Sequence, residues 1–254
     1  MWLKQLYNDK LGNMTVKQVL VKTILMFIAA AVSAFGVGLF ICSGLGSDPI
    51  SVWLDGLDHT FHFGIGMAST INNNVTLVVA ILFAFKYINV GTVINSVFFS
   101  VALGLYEPFM RSFIAAHNNL WVRSAYIALG LVFMILGLAL VVSLRFGFGN
   151  TDSILFRIMD KHPTFQYRFM KIALDGCYII AGFLMGGVVS VGTIIAFVLT
   201  GPGISACVPV IDKLILTPLG VGDHHNREMN KCSKEAEVIE VPVEETAEVL
   251  KSED

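Results

Sequence analysis

The sequence predicts an all-α, polytopic membrane protein: six transmembrane helices forming two inverted three-helix repeats, with a glycine-rich break after the first helix of each. Three observations carry this expectation. The 254 residues are 55% hydrophobic and 14% charged, where an ordinary globular domain is about 25% charged. A mean hydropathy of +0.73 leaves too little polar surface to cover a soluble sphere of this size. Several motifs in the first half also return in the second, about 101 residues later.

A bilayer core takes about 20 apolar residues per helix. Stretches of that kind run over 20–42, 67–87, 91–110, 122–144, 167–187 and 192–216. The first resembles a signal peptide with a small-residue processing site at Val32-Ser33-Ala34, but the repeat requires it to stay. Short loops with excess Lys and Arg face the cytoplasm. The N-terminal arm has Lys4, Lys10, Lys17 and Lys22, and loop 145–168 has Arg145, Arg157, Lys161 and Arg168. Loop 43–66 has no Lys or Arg, only Asp48, Asp55 and Asp58. Both termini are therefore expected in the cytoplasm, with Arg111 and Arg123 dissenting on the outer side.

Four segments follow: a cytoplasmic arm over 1–19, a first repeat over 20–118, an inverted second repeat over 119–222 and an acidic tail over 223–254. Residues 1–222 hold 13 Lys/Arg against 9 Asp/Glu, and the tail holds 4 against 10. So Glu-rich a segment cannot bury enough surface to fold alone. A docking peptide around Val238 to Leu250, and a metal held by His224, His225 and Cys232, are the weaker readings of this tail.

The repeat is read from three ordered matches. Gly36-Val37-Gly38 returns as Gly137-Leu138-Ala139, SGLGSDPIS (43–51) as RFGFGNTDS (145–153), and GTVINSVFFSVALGLYEP (91–108) as GTIIAFVLTGPGISACVP (192–209). A two-residue insertion before the second Gly-x-Gly is needed to align the glycines. Three spans per copy force the second copy to insert upside down. Inverted repeats of this kind recur in transporters, an analogy of fold that proves no activity.

At the first break, Gly44 and Gly46 end the helix, Ser47 or Asp48 caps the next, and Pro49 suits its first position. Ile50, Trp53, Leu54 and Leu57 then share one face. At the second break, Gly147 and Gly149 end the helix, and Asn150 or Thr151 is the expected cap before Asp152. Ile154, Leu155, Ile158 and Met159 repeat the face. Free N–H groups at such breaks suit an anion or polar solute if they dip into the bilayer; otherwise these are capped surface loops.

Polar groups inside spans complete the candidate site. Asn72, Asn73 and Asn74 open span two, Asn95 lies one turn into span three, and Asp175 stands alone in IALDGCYII. An intramembrane ionisable residue is a functional hypothesis by default, although Lys171 one turn earlier offers it a counter-ion. The asparagines read equally as interhelical packing bonds, as do the stripes Ser96/Ser100/Gly104 and Gly182/Gly186. Glu107 reads as interfacial. His59 and His62 sit at an interface or, less readily, bind metal, and the Asn74-Val75-Thr76 sequon lies within a span. Cys42, Cys177, Cys207 and Cys232 have no paired spacing. No catalytic motif or cofactor fingerprint appears.

With Gly44, Leu45, Gly46 and Pro49, then Gly91, Thr92 and Asn95, the chain resembles the YczE/YyaS/YitT group of bacterial integral membrane proteins over about residues 20–215. The second copy departs from the pattern at Asp152 and Ala196. The soluble C-terminal domain of the YitT branch has no counterpart here, which points to the YczE branch. The resemblance implies a multi-pass protein of the bacterial cell membrane and no particular substrate. The expected function is a transporter or permease for a small solute; the alternative is a non-transporting scaffold or regulator of a partner enzyme. Expected partners are the lipid bilayer and a small molecule, with a protein on the acidic tail and a second copy of the chain as further candidates. Neither nucleic acid nor a cofactor is expected, and no enzymatic activity.

Overall fold

The computed structural model describes residues 16–117, 119–147, 149–162, 167–219 and 221, and the regular elements among them are all helices. In chain order they are α1 (Val16–Cys42), α2 (Pro49–Phe61), α3 (Ile65–Ala84), α4 (Val90–Ala116), α5 (Leu120–Leu144), α6 (Asn150–Lys161), α7 (Tyr167–Leu184) and α8 (Val191–Ile211). A 3₁₀ turn, Phe85–Tyr87, closes α3, and a π-helical turn, Asp212–Leu216, extends α8. The arm up to residue 15, the tail docking peptide and the His224/His225/Cys232 site lie outside the described residues.

Among the described residues, five helices are long and apolar enough to cross a membrane: Val16–Cys42, Ile65–Tyr87, Val90–Ala116, Leu120–Leu144 and Val191–Leu216. The fifth expected span, 167–187, corresponds to α7, which is helical but outside this set. Its 18 residues include Arg168, Lys171 and Asp175. The third span runs past its expected end at 110 to Ala116, because Pro108 is carried inside the helix and Ser112 Oγ donates to its carbonyl at 2.9 Å.

The centre is an antiparallel crossing of α1 and α5, backbone on backbone. A Cβ added to Gly36 would lie 2.2 Å from the Met134 amide nitrogen, and one on Gly137 would lie 2.4 Å from the Ser33 nitrogen. Both distances are far inside contact, so only glycine fits. Without a hydrophobic driving force in lipid, such close approach supplies the dispersion energy that holds helices together. The two contacts are related by a single offset, since 101 residues separate Ser33 from Met134 and Gly36 from Gly137.

The other helices pack around this crossing. α4 lies on α1 and α8 on α5. The short helices pack crosswise, α2 on α7 and α6 on α3. Leu54 is buried with Ile50, Trp53 and Leu57 packed around it, and Leu155 is the most buried member of the matching α6 face. Gly56 and Gly182 let α2 and α7 meet, an added Cβ on Gly56 lying 2.6 Å from the Gly182 carbonyl.

Near the C-terminal part of α4, Glu107 belongs to an ion-paired staple. Glu107 is buried, accepts from Arg111 Nε at 2.7 Å and accepts from the Gly66 amide at 3.1 Å. Arg111 also reaches Asp58 at 2.7 Å, and Asp58 accepts from the Gly64 amide at 2.8 Å. Two carboxylates thus satisfy free N–H groups at the start of α3, where the helix dipole favours negative charge.

Gly36→Ala and Gly137→Ala are expected to lower stability by about 1–3 kcal/mol each, the range for overpacking a tight contact. Gly176→Ala, where an added Cβ meets nothing within 4 Å, leaves the melting midpoint unchanged. Thermal unfolding of the detergent-purified variants measures both.

Candidate functional site

At the first break, Gly44 and Gly46 take positive φ of 65° and 91°, as the glycines imply. Asp48 is the N-cap of α2 and Pro49 its first residue. The second break is built differently. Its left-handed residue is Arg145, at φ 45°, and the cap of α6 is Gly149, not Asn150 or Thr151. Asn150 is drawn elsewhere, and Gly147 is required for closeness rather than for φ.

Each break docks on the start of a helix from the other half of the chain. The Gly192 amide donates to the Leu45 carbonyl at 3.0 Å, and the Ser47 amide to Thr193 Oγ1 at 3.2 Å. A Cβ on Gly46 would lie 2.7 Å from that hydroxyl. On the other side, a Cβ on Gly91 would lie 2.6 Å from the Phe146 carbonyl. One on Gly147 would lie 2.6 Å from both Thr92 N and Thr92 Oγ1. Asn89 with Thr92, and Ser190 with Thr193, form capping boxes at these two helix starts. The Gly-Thr pairs were visible as a repeat, but their task of holding the opposite break was not.

The breaks place two polar clusters between the halves. In the first, Asn150 at the start of α6 accepts from Ser96 Oγ at 2.7 Å and donates to the Asn73 carbonyl at 3.0 Å and Thr76 Oγ1 at 3.3 Å. Asn73 Nδ2 donates to Ser100 Oγ at 2.8 Å, and Ser100 meets Ser69 at 3.2 Å. Ser69, Ser96, Ser100 and Asn150 are buried. This network ties α3, α4 and α6 together.

The second cluster is charged. Lys171 Nζ lies 3.5 Å from Asp175 and 3.6 Å from Asp152, and Asp48 interacts electrostatically with both Lys171 and Asp175. Ser51 donates to the Asp48 carboxylate. Tyr178 bonds to Thr151, and its ring lies 6.5 Å from that of Trp53, whose Nε1 donates to Asn72 at 3.2 Å. Two carboxylates therefore pair with one ammonium, with the Asp48 carboxyl within its electrostatic reach and two aromatic rings nearby, between α2, α6 and α7. Burial pushes the Asp48 carboxyl above the usual carboxylate range, and the Ser51 bonds and Lys171 offset part of that rise.

Of the residues expected in the site, Asp48, Asn72, Thr151, Asp152 and Asp175 come together here. Asn73 and Asn150 join the neutral network, while Gly44, Gly46, Ser47, Gly147 and Gly149 shape the breaks. Asn74 is exposed and stands apart. Asn95 does not find the partner expected for it, its Oδ1 being buried without a hydrogen bond. Asp175 meets Lys171 rather than the asparagines. Trp53, Tyr178 and Lys171 complete the cluster; Lys171 alone was legible, as the i,i+4 partner of Asp175. Among the described residues no group of three or more His, Cys, Asp or Glu side chains could hold a metal ion.

Helices of this length and apolarity, broken at paired glycine-rich turns around a polar centre, define a helical membrane protein. The chain belongs to the DUF6198 family, a family of unknown function, which it matches over residues 20–209. It is 26% identical over 176 residues to the uncharacterized membrane protein YczE of Bacillus subtilis, covering 69% of this chain and 80% of that one. An uncharacterized protein of Haemophilus influenzae is 25% identical over 194 residues, 76% of this chain and 86% of its own. The resemblance to YczE read from the sequence is thereby borne out. No solved structure matches.

Two outcomes follow. Thr193→Val strands the buried Ser47 amide and is expected to cost about 1–3 kcal/mol in thermal unfolding. Because the folded-state pKa of Asp48 is raised, this group favours folding in acid and loses that contribution as pH climbs through and above the ordinary carboxylate range. Asp48→Asn therefore unfolds at a higher temperature than wild type at neutral pH, and the two converge in acid.

Proposed function

We propose that this protein is a secondary transporter, or permease, whose solute site is the charged cluster between two inverted halves. The observation that carries the reading is the meeting of both breaks and both short helices around Asp48, Asp152, Asp175 and Lys171. Backbone broken at membrane depth is tolerated only where it lines a cavity or is buried in protein, and the two breaks are buried against each other's half.

Support for the inverted duplication comes from contacts that recur at an offset of 101. Gly36 on Met134 mirrors Ser33 on Gly137, and Gly46 on Thr193 mirrors Gly147 on Thr92. Leu45 on Gly192 mirrors Phe146 on Gly91. The offset is unbroken through both breaks, so the two-residue insertion is not needed: Gly147 answers to Gly46, not to Gly44. On this reading α7 is the fifth of six spans, with Lys171 turned toward Asp152 of α6. Both termini face the cytoplasm. Arg111 is tied up by Glu107 and Asp58, and Arg123 reaches to within 3.9 Å of a Cβ built on Gly44, where the C-terminal end of α1 favours a cation. Both outer-side arginines thus have structural employment. The reading involves no enzymatic step.

The test starts from a thermal-shift panel of small cations, anions and neutral metabolites on the purified protein. The solutes that raise the melting midpoint are then followed in proteoliposomes. Wild type is expected to move at least one of them down its gradient, and Asp175→Asn to move it at least tenfold more slowly. Equal rates in the two proteins, or no flux of any stabilising solute, remove the transport reading.

A further inference from the structure

The two halves are built alike but are not in the same arrangement. In the first, α3 lies flush on α4. A Cβ on Gly66 would lie 2.3 Å from Gly104 Cα, Ser69 meets Ser100 at 3.2 Å, and Asn73 donates to Ser100 at 2.8 Å. Adding 101 turns the α4 stripe Ser96, Ser100 and Gly104 into Phe197, Gly201 and Ser205 of α8, and turns Ser69 and Asn73 into Met170 and Leu174 of α7. These partners do not meet. Phe197, Gly201 and Ser205 are all exposed, and a Cβ on Gly201 would meet nothing within 4 Å. Only 11% of the most apolar window of α8 is buried, against 39% for α4. Gly176, next to Asp175 on α7, has the same open space around it.

The gap between α7 and α8 therefore runs alongside the charged cluster, while the matching gap between α3 and α4 is shut. Small residues permit close helix packing; Gly201 and Ser205 keep that character, Phe197 does not, and the first half shows which helix such positions receive. We propose that α8 carries an empty seat for α7, and that the protein exchanges between two states. In the state seen here α3 is seated on α4 and α7 stands off α8. In the other, α7 closes onto Phe197, Gly201 and Ser205 as α3 leaves Ser96, Ser100 and Gly104. Each exchange opens one flank of the Asp48–Asp152–Asp175–Lys171 cluster and shuts the other. This rests on the inverted halves of the proposed function and adds the moving parts.

α7 is suited to the movement. It is held by α2 through glycine contacts, by the Val188 amide on Asp55 at 2.9 Å and by the Thr60 hydroxyl on the Met185 carbonyl at 3.1 Å. These contacts cluster at its C-terminal end, where they form a pivot. Its N-terminal half is tied to α6 through Lys171, which lies 3.6 Å from Asp152, a contact that a small shift would break.

Disulfide trapping tests the exchange without any solute. In a background with Cys42, Cys177, Cys207 and Cys232 replaced by alanine, one protein carries Ser69→Cys with Ser100→Cys. A second carries Met170→Cys with Gly201→Cys, and a third Leu174→Cys with Gly201→Cys. Membranes are oxidised with copper phenanthroline, which takes two electrons and two protons from each thiol pair. The remaining thiols are counted by gel shift with maleimide–polyethylene glycol. A bridge needs Cα atoms about 4.4–6.8 Å apart, so each disulfide reports a seated helix. The expected result is closure of the 69–100 pair and of at least one α7–α8 pair. A protein holding the 69–100 pair and that α7–α8 pair together closes either bridge but not both. If both α7–α8 pairs stay reduced while 69–100 closes, the gap is permanent and lipid-filled, and the exchange is overturned. Failure of 69–100 to close, or closure of both bridges in one molecule, overturns it equally. A protein that passes this trapping but moves no solute refutes transport alone; one that moves solute with α7 never seated refutes the exchange alone.

Discussion

The constraint on which the rest of the structure depends is that an N–H or C=O group removed from water must find a partner in the protein. A helix interrupted at Gly44–Asp48 exposes such groups, and so does one interrupted at Arg145–Gly149. Each break satisfies only some of its own, such as the Gly44 amide on Ile41 and the Arg145 amide on Val142. Leu45 gives its carbonyl to Gly192, and Ser47 gives its amide to Thr193; the reciprocal break lies equally close on Gly91 and Thr92. Each half is therefore incomplete without the other. The glycines at 36, 130 and 137, which let α1 and α5 cross at backbone distance, bring the halves near enough for this exchange.

Once the backbone is satisfied reciprocally, the side chains at matching positions are free to differ. Position 150 holds an asparagine that knits α6 to α3 and α4, and the matching position 49 holds a proline that opens α2. Position 175 holds an aspartate, and the matching position 74 an exposed asparagine. The neutral network thus gathers on one side of the centre and the charged cluster on the other. On the proposed duplication, common backbone geometry fixes where polar groups can stand, and divergence between the copies decides their chemistry.

Much of this architecture was legible in the sequence because hydropathy and repetition report on it directly. The apolar runs mark α1, α3, α4, α5 and α8, and GT at 91 and 192 marks two equivalent helix starts. Clearance was not legible. Matching Gly44-x-Gly46 to Gly147-x-Gly149 by type demanded an insertion, whereas the contacts pair Gly46 with Gly147 and let Arg145 take the left-handed turn. Glycine is placed by three needs: φ, close approach and capping. A string of letters does not say which. The partners of Glu107 were illegible for a related reason: a charge near a helix end does not announce that it is buried on free amides. Of the candidate site, the aspartates were found because charge is conspicuous in an apolar run. Trp53 and Tyr178 were missed because aromatic residues are not.

The charges on α7 are hard to explain as a device for stability. Lys171 and the carboxylates around it are half-buried. The desolvation such groups suffer commonly equals or exceeds what their pairing returns. Apolar residues at 152, 171 and 175 would pack there at no loss and would make α7 as plain a spanning helix as its neighbours. The sequence instead keeps two aspartates paired with one lysine and a third within its electrostatic reach, an arrangement with more negative charge than its own cation neutralises. Excess charge of one sign in a poorly solvated place draws in something of the other sign. A cluster costly to bury and incompletely neutralised is what the proposed solute site requires, and stability alone gives no reason to keep it.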